Sequence, residues 1–123
     1  MPIVTKIALI LVALIHVAIA AVEIFFWQVP AVYQRLNFSS EVAAQVAPIV
    51  QNAGLYNSFI AAGLFWGAFG RSCTTQIRYF FLVCVAIAGL FGAVTLRPTT
   101  IVLQTFPAAI ALFLTWRAQA KIR

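Results

Sequence analysis

Three features of this 123-residue chain predict an all-α fold, a bundle of four transmembrane helices with both termini cytoplasmic. First, 64% of its residues are hydrophobic and 8% charged, with a mean hydropathy of +1.04, against about 25% charged in a soluble domain. Second, the apolar residues gather into runs near the roughly 20 residues that cross about 30 Å of hydrocarbon. Third, the eight Lys and Arg residues punctuate those runs, as membrane-flanking charges do. The length allows one domain, residues 1–123. The composition excludes a secreted disulfide mini-protein, a disordered tail and a soluble enzyme.

Span one is expected over residues 7–27, with Trp27 at its end. Lys6, the apolar run after it and Ala18-Ile19-Ala20 imitate a cleavable signal peptide, but the segment is expected to stay as a span. Residues 28–48 form the longest connection, outside the membrane, with Pro30, Asn37, Ser39, Ser40 and Glu41. There Ser40 can cap a helix whose first turn holds Glu41 and which runs through Pro48 into span two with a kink. The stretch reads as re-entrant or interfacial, or more pointedly as a substrate lid. Span two is expected over 50–69 and span three over 77–95, joined by the short polar turn Gly70 to Gln76. A tight turn, Leu96 to Pro98, leads to span four over 99–116, with Thr99 or Thr100 as its cap and Trp116 at the interface.

Orientation follows from the charges. With both termini inside, Lys6, Arg71, Arg78, Arg117, Lys121 and Arg123 are cytoplasmic, and only Arg35 and Arg97 are outside. The net charge of +6 is not gathered into a basic face with interleaved aromatics, so no nucleic-acid partner is expected. Cys73 in a loop and Cys84 in an apolar run make no disulfide framework.

Polar groups inside the membrane are costly and need a partner or a cavity. His16 and Glu23 share a face of span one with Ala20 and Trp27, about 10 Å apart along the axis. They are too far apart to bond directly. Metal ligands from one helix normally lie at i, i+3 or i+4, so no metal is assigned to this pair, a metal there would need ligands from other helices, and the sequence leaves any cofactor unknown. In span two, Asn52, Tyr56, Phe59 and Gly63 share a face. Gly89, Gly92 and Thr95 end span three, and span four carries Gln104, Ala108, Ala111 and Thr115 beside Pro107. Placed at depth, Glu23, Asn52, Tyr56, Asn57, Thr95 and Gln104 fall in the outer half of the bilayer, with His16 near the middle. A single outward-biased site is therefore expected, with His16, Glu23, Asn52, Tyr56, Asn57 and Gln104 as its ligand- or proton-binding candidates. Asn57 and Gln104 taken alone fit helix-to-helix hydrogen bonding at roughly 1 kcal/mol or less each. Glu23 stands apart: an isolated charge there costs roughly 2 kcal/mol or more, so it must be protonated, paired or wetted. Gly63-Leu-Phe-Trp-Gly67 is a GxxxG pattern suited to close helix contact, within the chain or in a homo-oligomer.

These residues also carry a family resemblance. The stretch from His16 through Glu23 to Trp27, the block Asn52-Ala-Gly-Leu-Tyr-Asn-Ser-Phe-Ile-Ala-Ala-Gly63, Gly89-Leu-Phe-Gly-Ala-Val-Thr95 and Gln104-Thr-Phe-Pro-Ala108 resemble the DUF1304 family of small bacterial integral membrane proteins. The resemblance covers nearly the whole chain, and the Asn52 block is its most specific part. The family usually has Gln where this chain has Ala53 and Gly where it has Ser58. The resemblance implies the fold and a multi-pass location in a bacterial inner (cytoplasmic) membrane. It carries no activity over.

Three functions compete. A transport component would use Glu23 to bind a proton or a small molecule, with His16 as relay and a homo-oligomer to enclose enough volume. A membrane-embedded enzyme on a lipid or quinone-like substrate would use His16 or Glu23 as acid or base, with Tyr56, Asn52 and Asn57 orienting a polar head. A structural or assembly subunit would use the same groups only to fix helix register. Binding is preferred, with transport as its use by a small margin: no intramembrane Lys or Arg is available to pair with Glu23, which leaves a protonated acid or a wet pocket.

Overall fold

The computed structural model describes residues 1–121. Arg123, one of the six charges placed on the cytoplasmic side, lies outside the described residues. The described residues form helices and turns without a strand, as expected: α1 (Ile3–Phe25), the one-turn α2 (Pro30–Tyr33), α3 (Ser40–Phe69), α4 (Thr74–Thr95) and α5 (Phe106–Ala120). A 3-10 turn (Gln34–Leu36) follows α2, and a π-helical turn (Ile101–Thr105) leads into α5.

Three helical stretches are long and apolar enough to cross a membrane: Ile3–Phe25, Thr74–Thr95 and Ile101–Ala120. The fourth expected span, residues 50–69, lies within α3, which is longer, at 30 residues, but is not among these three. Its apolar run is interrupted by Gln51, Asn52, Tyr56, Asn57 and Ser58. Large apolar side chains point outward along the helices: Phe25 is 75% exposed and Val94 88%. A surface of this kind suits contact with lipid rather than water.

Residues Met1–Ile15 and the chain from Ile60 onward make one compact unit. Four helical segments fill its core. Leu9, Val12 and Ala13 come from α1, Leu64 and Ala68 from α3, Leu82 and Val85 from α4, and Ala108 and Ala111 from α5. Within each helix these residues are one, three or four positions apart, and thus lie on one face. The GxxxG pattern is used inside this unit: a Cβ on Gly63 would strike the Phe81 ring, and one on Gly67 would lie 3.0 Å from Arg78 Cγ.

Arg78 was expected at the membrane edge as a flanking charge. It is instead buried: its Nε donates to the Gly67 carbonyl at 2.6 Å and its NH2 to Thr74 Oγ1 at 2.9 Å. The last carbonyls of a helix have no intrahelical donor and carry its negative dipole end, so a guanidinium at the end of α3 satisfies both.

Neither Thr99 nor Thr100 caps the last helix by a side-chain bond: the Thr100 hydroxyl donates to the carbonyls of Gly89 and Arg97 at 2.8 and 2.9 Å. The π turn next to it follows from Pro107. A proline has no N–H for the carbonyl four residues back and its ring crowds that carbonyl, and the chain answers by widening the turn, with Phe106 N–H bonded to Ile101 O. The turn seats against α4, where Thr105 Oγ1 donates to Ala86 O at 3.0 Å and Gly89 leaves room for the Thr105 backbone.

Residues His16–Phe59 make the second unit. The connection expected over 28–48 holds α2, the 3-10 turn and, as expected, the opening turns of the helix that continues into residues 50–69. After α1, Val29 precedes α2 with Pro30 at its first position, where a missing N–H costs nothing. Asn37, at φ 60°, ends the 3-10 turn in a left-handed conformation that asparagine tolerates. α3 then begins at Ser40, with Glu41 in its first turn, and runs through Pro48 into the segment expected as span two, as the sequence predicts. Ser39 rather than Ser40 is its cap: Val42 N–H donates to Ser39 Oγ at 3.3 Å. Trp27, Tyr33, Ala43 and Ala47 form a small core of their own. The Trp27 indole N–H donates to Ala43 O at 2.9 Å, and its ring meets Phe38 edge-on at 5.9 Å.

Candidate functional site

Two residue patterns decide what faces inward. On α1, Thr5, Leu9, Val12, His16 and Ala20 are buried, and the buried Trp27 follows just past its end. Glu23, half-buried, stands in the same three-and-four spacing, so the face predicted to hold His16, Ala20, Glu23 and Trp27 is the packed one. On α3, Ala43, Ala47, Gly54, Ala61, Leu64 and Ala68 are buried, and Val50 and Asn57 fall in the same stripe. Small residues at this spacing let two helix backbones approach closely.

Gly54 marks the closest approach. A Cβ there would lie 2.7 Å from Ile24 Cγ1, 2.9 Å from Glu23 Cβ and 3.1 Å from Ala20 O, inside the roughly 3.5–4.0 Å of ordinary carbon contact. Three residues on, Asn57 Nδ2 donates to Glu23 Oε2 at 2.8 Å and to Ala53 O, one turn back on its own helix, at 3.3 Å. The carbonyl of Ala53 thus steadies the amide that holds the acid. The donor is neutral, so it can serve the carboxylate or the carboxylic acid, and Oε1 remains for a proton or a ligand.

The other candidates stand elsewhere. His16 is buried, 2% exposed, engaged by a neighbour, and two turns from Glu23. Asn52 and Tyr56 share a face as expected, but it is the outward face of α3: both are exposed, and Tyr56 packs on Phe59, edge-on at 6.0 Å. Gln104 belongs to the other unit, half-buried in the π turn, where its Cβ would be 2.9 Å from a Cβ on Gly89. Among the described residues, no group of three or more His, Cys, Asp and Glu side chains is placed to hold a metal ion, and Cys73 and Cys84 are free thiols.

The structure adds Gly54, Trp27 and Arg78 as residues that set the geometry. For Gly54 a signal was present: Ala47, Gly54, Ala61 and Ala68 recur every seven residues, two helical turns.

In comparison with known proteins, residues 10–116 match DUF1304, a protein of unknown function. No curated protein and no solved structure matches the chain.

Proposed function

The chain belongs to the DUF1304 family, and we propose that it is a four-span membrane protein whose intramembrane acid, Glu23, binds a proton or a small molecule as part of a transport component. The spans are α1, the part of α3 over residues 50–69, α4, and the π turn with α5. Both termini face the cytoplasm of a bacterial cell, with the protein in the inner membrane, an orientation supported by the excess of Lys and Arg in the segments then placed inside.

The observation that carries the functional reading is the 2.8 Å bond from the Asn57 amide to Glu23. A carboxyl in lipid needs a partner, and this one has an amide, which fixes its position without cancelling its charge or occupying its second oxygen. The acid keeps its capacity to take up a proton or a cationic group. Asn52 and Tyr56, on the outward face of α3, are then the polar groups that a second copy would cover, and neither stands ready to orient a substrate head at Glu23 in the manner an enzyme requires.

One observation favours a purely structural role: among the described residues no buried side-chain nitrogen or oxygen lacks a partner. The two readings separate on Glu23→Gln, whose amide oxygen still accepts from Asn57 but carries no proton. Difference potentiometric titration of wild type against E23Q in detergent, over the pH range where both stay folded, counts protons on that one group. Under the proposal the wild type takes up one more proton per chain than E23Q while both melt alike. Identical titration curves would leave Glu23 a structural residue.

A further inference from the structure

Away from Glu23, the first unit contains a cavity of about 200 Å³ where α1 begins and α5 ends, lined by Pro2, Val4, Thr5, Leu114, Arg117, Ala118 and Lys121. Nothing in the proposed function uses it. Its walls differ in chemistry. Val4, Leu114 and Ala118 supply the apolar part of its lining, while Arg117 on α5 and Lys121, the residue that follows its end, supply two cations. The Arg117 guanidinium leans toward the Phe113 ring, 5.9 Å from its centroid. Thr5 closes the bottom, its hydroxyl donating to Leu114 O at 3.4 Å.

The surroundings narrow the occupant. Both helices that frame the cavity belong to stretches apolar enough to span a membrane, and the cavity lies at their ends. Just along α1 and α5, Ile7, Leu11, Ile110 and Phe113 are about half exposed, an apolar track leading away from the two cations. Trp116, 58% exposed, sits beside them as an interfacial anchor. The volume is below the roughly 300–1,000 Å³ of pockets that enclose drug-sized ligands. A phosphodiester headgroup with its glycerol matches that size and that charge, with the acyl chains left outside against the track. Basic pockets between membrane helices hold anionic headgroups in this way. A soluble anion would use the cations but neither the apolar lining nor the track.

We propose that this cavity is a binding site for an anionic phospholipid, with Arg117 and Lys121 holding the headgroup phosphate and the apolar lining of Val4, Leu114 and Ala118 receiving the glycerol. The site is independent of Glu23 and requires only that the protein spans the bilayer.

The test is lipid binding to the full chain in detergent, followed by native mass spectrometry, with phosphatidylglycerol and phosphatidylcholine as probes. Three variants are compared. R117Q/K121Q removes the cations, A118L fills the cavity with its charges intact, and R71Q removes an exposed charge outside it. Each cation near a membrane surface contributes about 1 kcal/mol, so the double variant should lose about thirty-fold in phosphatidylglycerol affinity. A118L should lose at least tenfold (a rough figure for an excluded headgroup). R71Q should bind like wild type, and phosphatidylcholine binding should be weak and unchanged throughout. Equal losses in R71Q and R117Q/K121Q would reduce the effect to net charge and overturn the site. So would wild-type affinity in A118L, provided its melting temperature is unchanged, and displacement of the lipid by equimolar inorganic phosphate would overturn the assignment to a lipid.

Discussion

Replacing Gly54 by alanine tests the helix contact on which the Glu23 site depends. The added methyl would lie 2.7 Å from Ile24 Cγ1 and 2.9 Å from Glu23 Cβ. Ordinary carbon contacts begin at about 3.5 Å, so α1 and α3 must part by roughly 0.8 Å at this point. The same displacement stretches the 2.8 Å bond between Asn57 and Glu23 to about 3.6 Å, beyond a hydrogen bond. Overpacking of this kind costs about 1–3 kcal/mol. Against it, alanine improves on glycine in a helix by about 1 kcal/mol. The net expectation is a loss of about 1 kcal/mol, rising by a further 1–2 kcal/mol for Gly54→Val, whose bulk cannot be absorbed. Gly92→Ala is the control: its Cβ would meet Thr100 side-chain atoms at 3.2–3.3 Å, tight but able to yield, so the helix gain should cancel the cost. Reversible unfolding in mild detergent measures all three. A Gly54→Ala protein as stable as Gly92→Ala would refute the close approach and the positioning of Glu23 that follows from it.

Three more substitutions examine the surrounding framework. Trp27→Phe removes the indole donor to Ala43 O and should cost about 1 kcal/mol in the same unfolding assay. Arg78→Met keeps the aliphatic stem but leaves the Gly67 carbonyl without its charged donor, which should lower stability by about 2 kcal/mol in the same unfolding assay. Ser39→Ala should cost about 0.5 kcal/mol, the low end for an exposed cap, while Ser40→Ala, already inside the helix, should be neutral. The opposite order would restore Ser40 as the cap.

Hydropathy made much of the fold legible. The ends of α3 at Phe69 and of α4 at Thr95 fall where the apolar runs stop. The starts were less visible, because a helix continues past its apolar run wherever its polar residues find partners. Lys6, set as the boundary of span one, lies inside α1 with its ammonium 4.3 Å from the centre of the Phe69 ring, reaching outward from a helix that began earlier. At Pro48 the expectation held: α3 continues through it, and Ala43 and Ala47 pack ahead of it. The π turn before Pro107 and the buried Arg78 had no sequence signal, since both depend on which neighbour supplies or lacks a hydrogen bond.

At the candidate site, Glu23 stood out because a charge in an apolar run is expensive. Its partner could not be chosen from composition alone. Asn52, Tyr56 and Asn57 are all polar and one to five residues apart, and α3 turns 100° per residue. Which of them meets α1 is fixed by the seven-residue repeat of small residues, which puts Gly54 and Asn57 inward and Asn52 and Tyr56 outward.

The most direct measurement is the labelling of Glu23 by a hydrophobic carbodiimide in native membranes, read by mass spectrometry of the intact chain and its peptides. Such a reagent enters from the bilayer and attacks a carboxyl that exchanges protons. Modification is expected at Glu23, falling as pH rises and the acid ionises, absent in Glu23→Gln and altered in Asn57→Leu, where the carboxyl loses its amide donor. A Glu23 that stays unmodified at every pH at which the protein is folded, in wild type and Asn57→Leu alike, would contradict the claim that it is a binding group and leave it a fixed part of the helix contact.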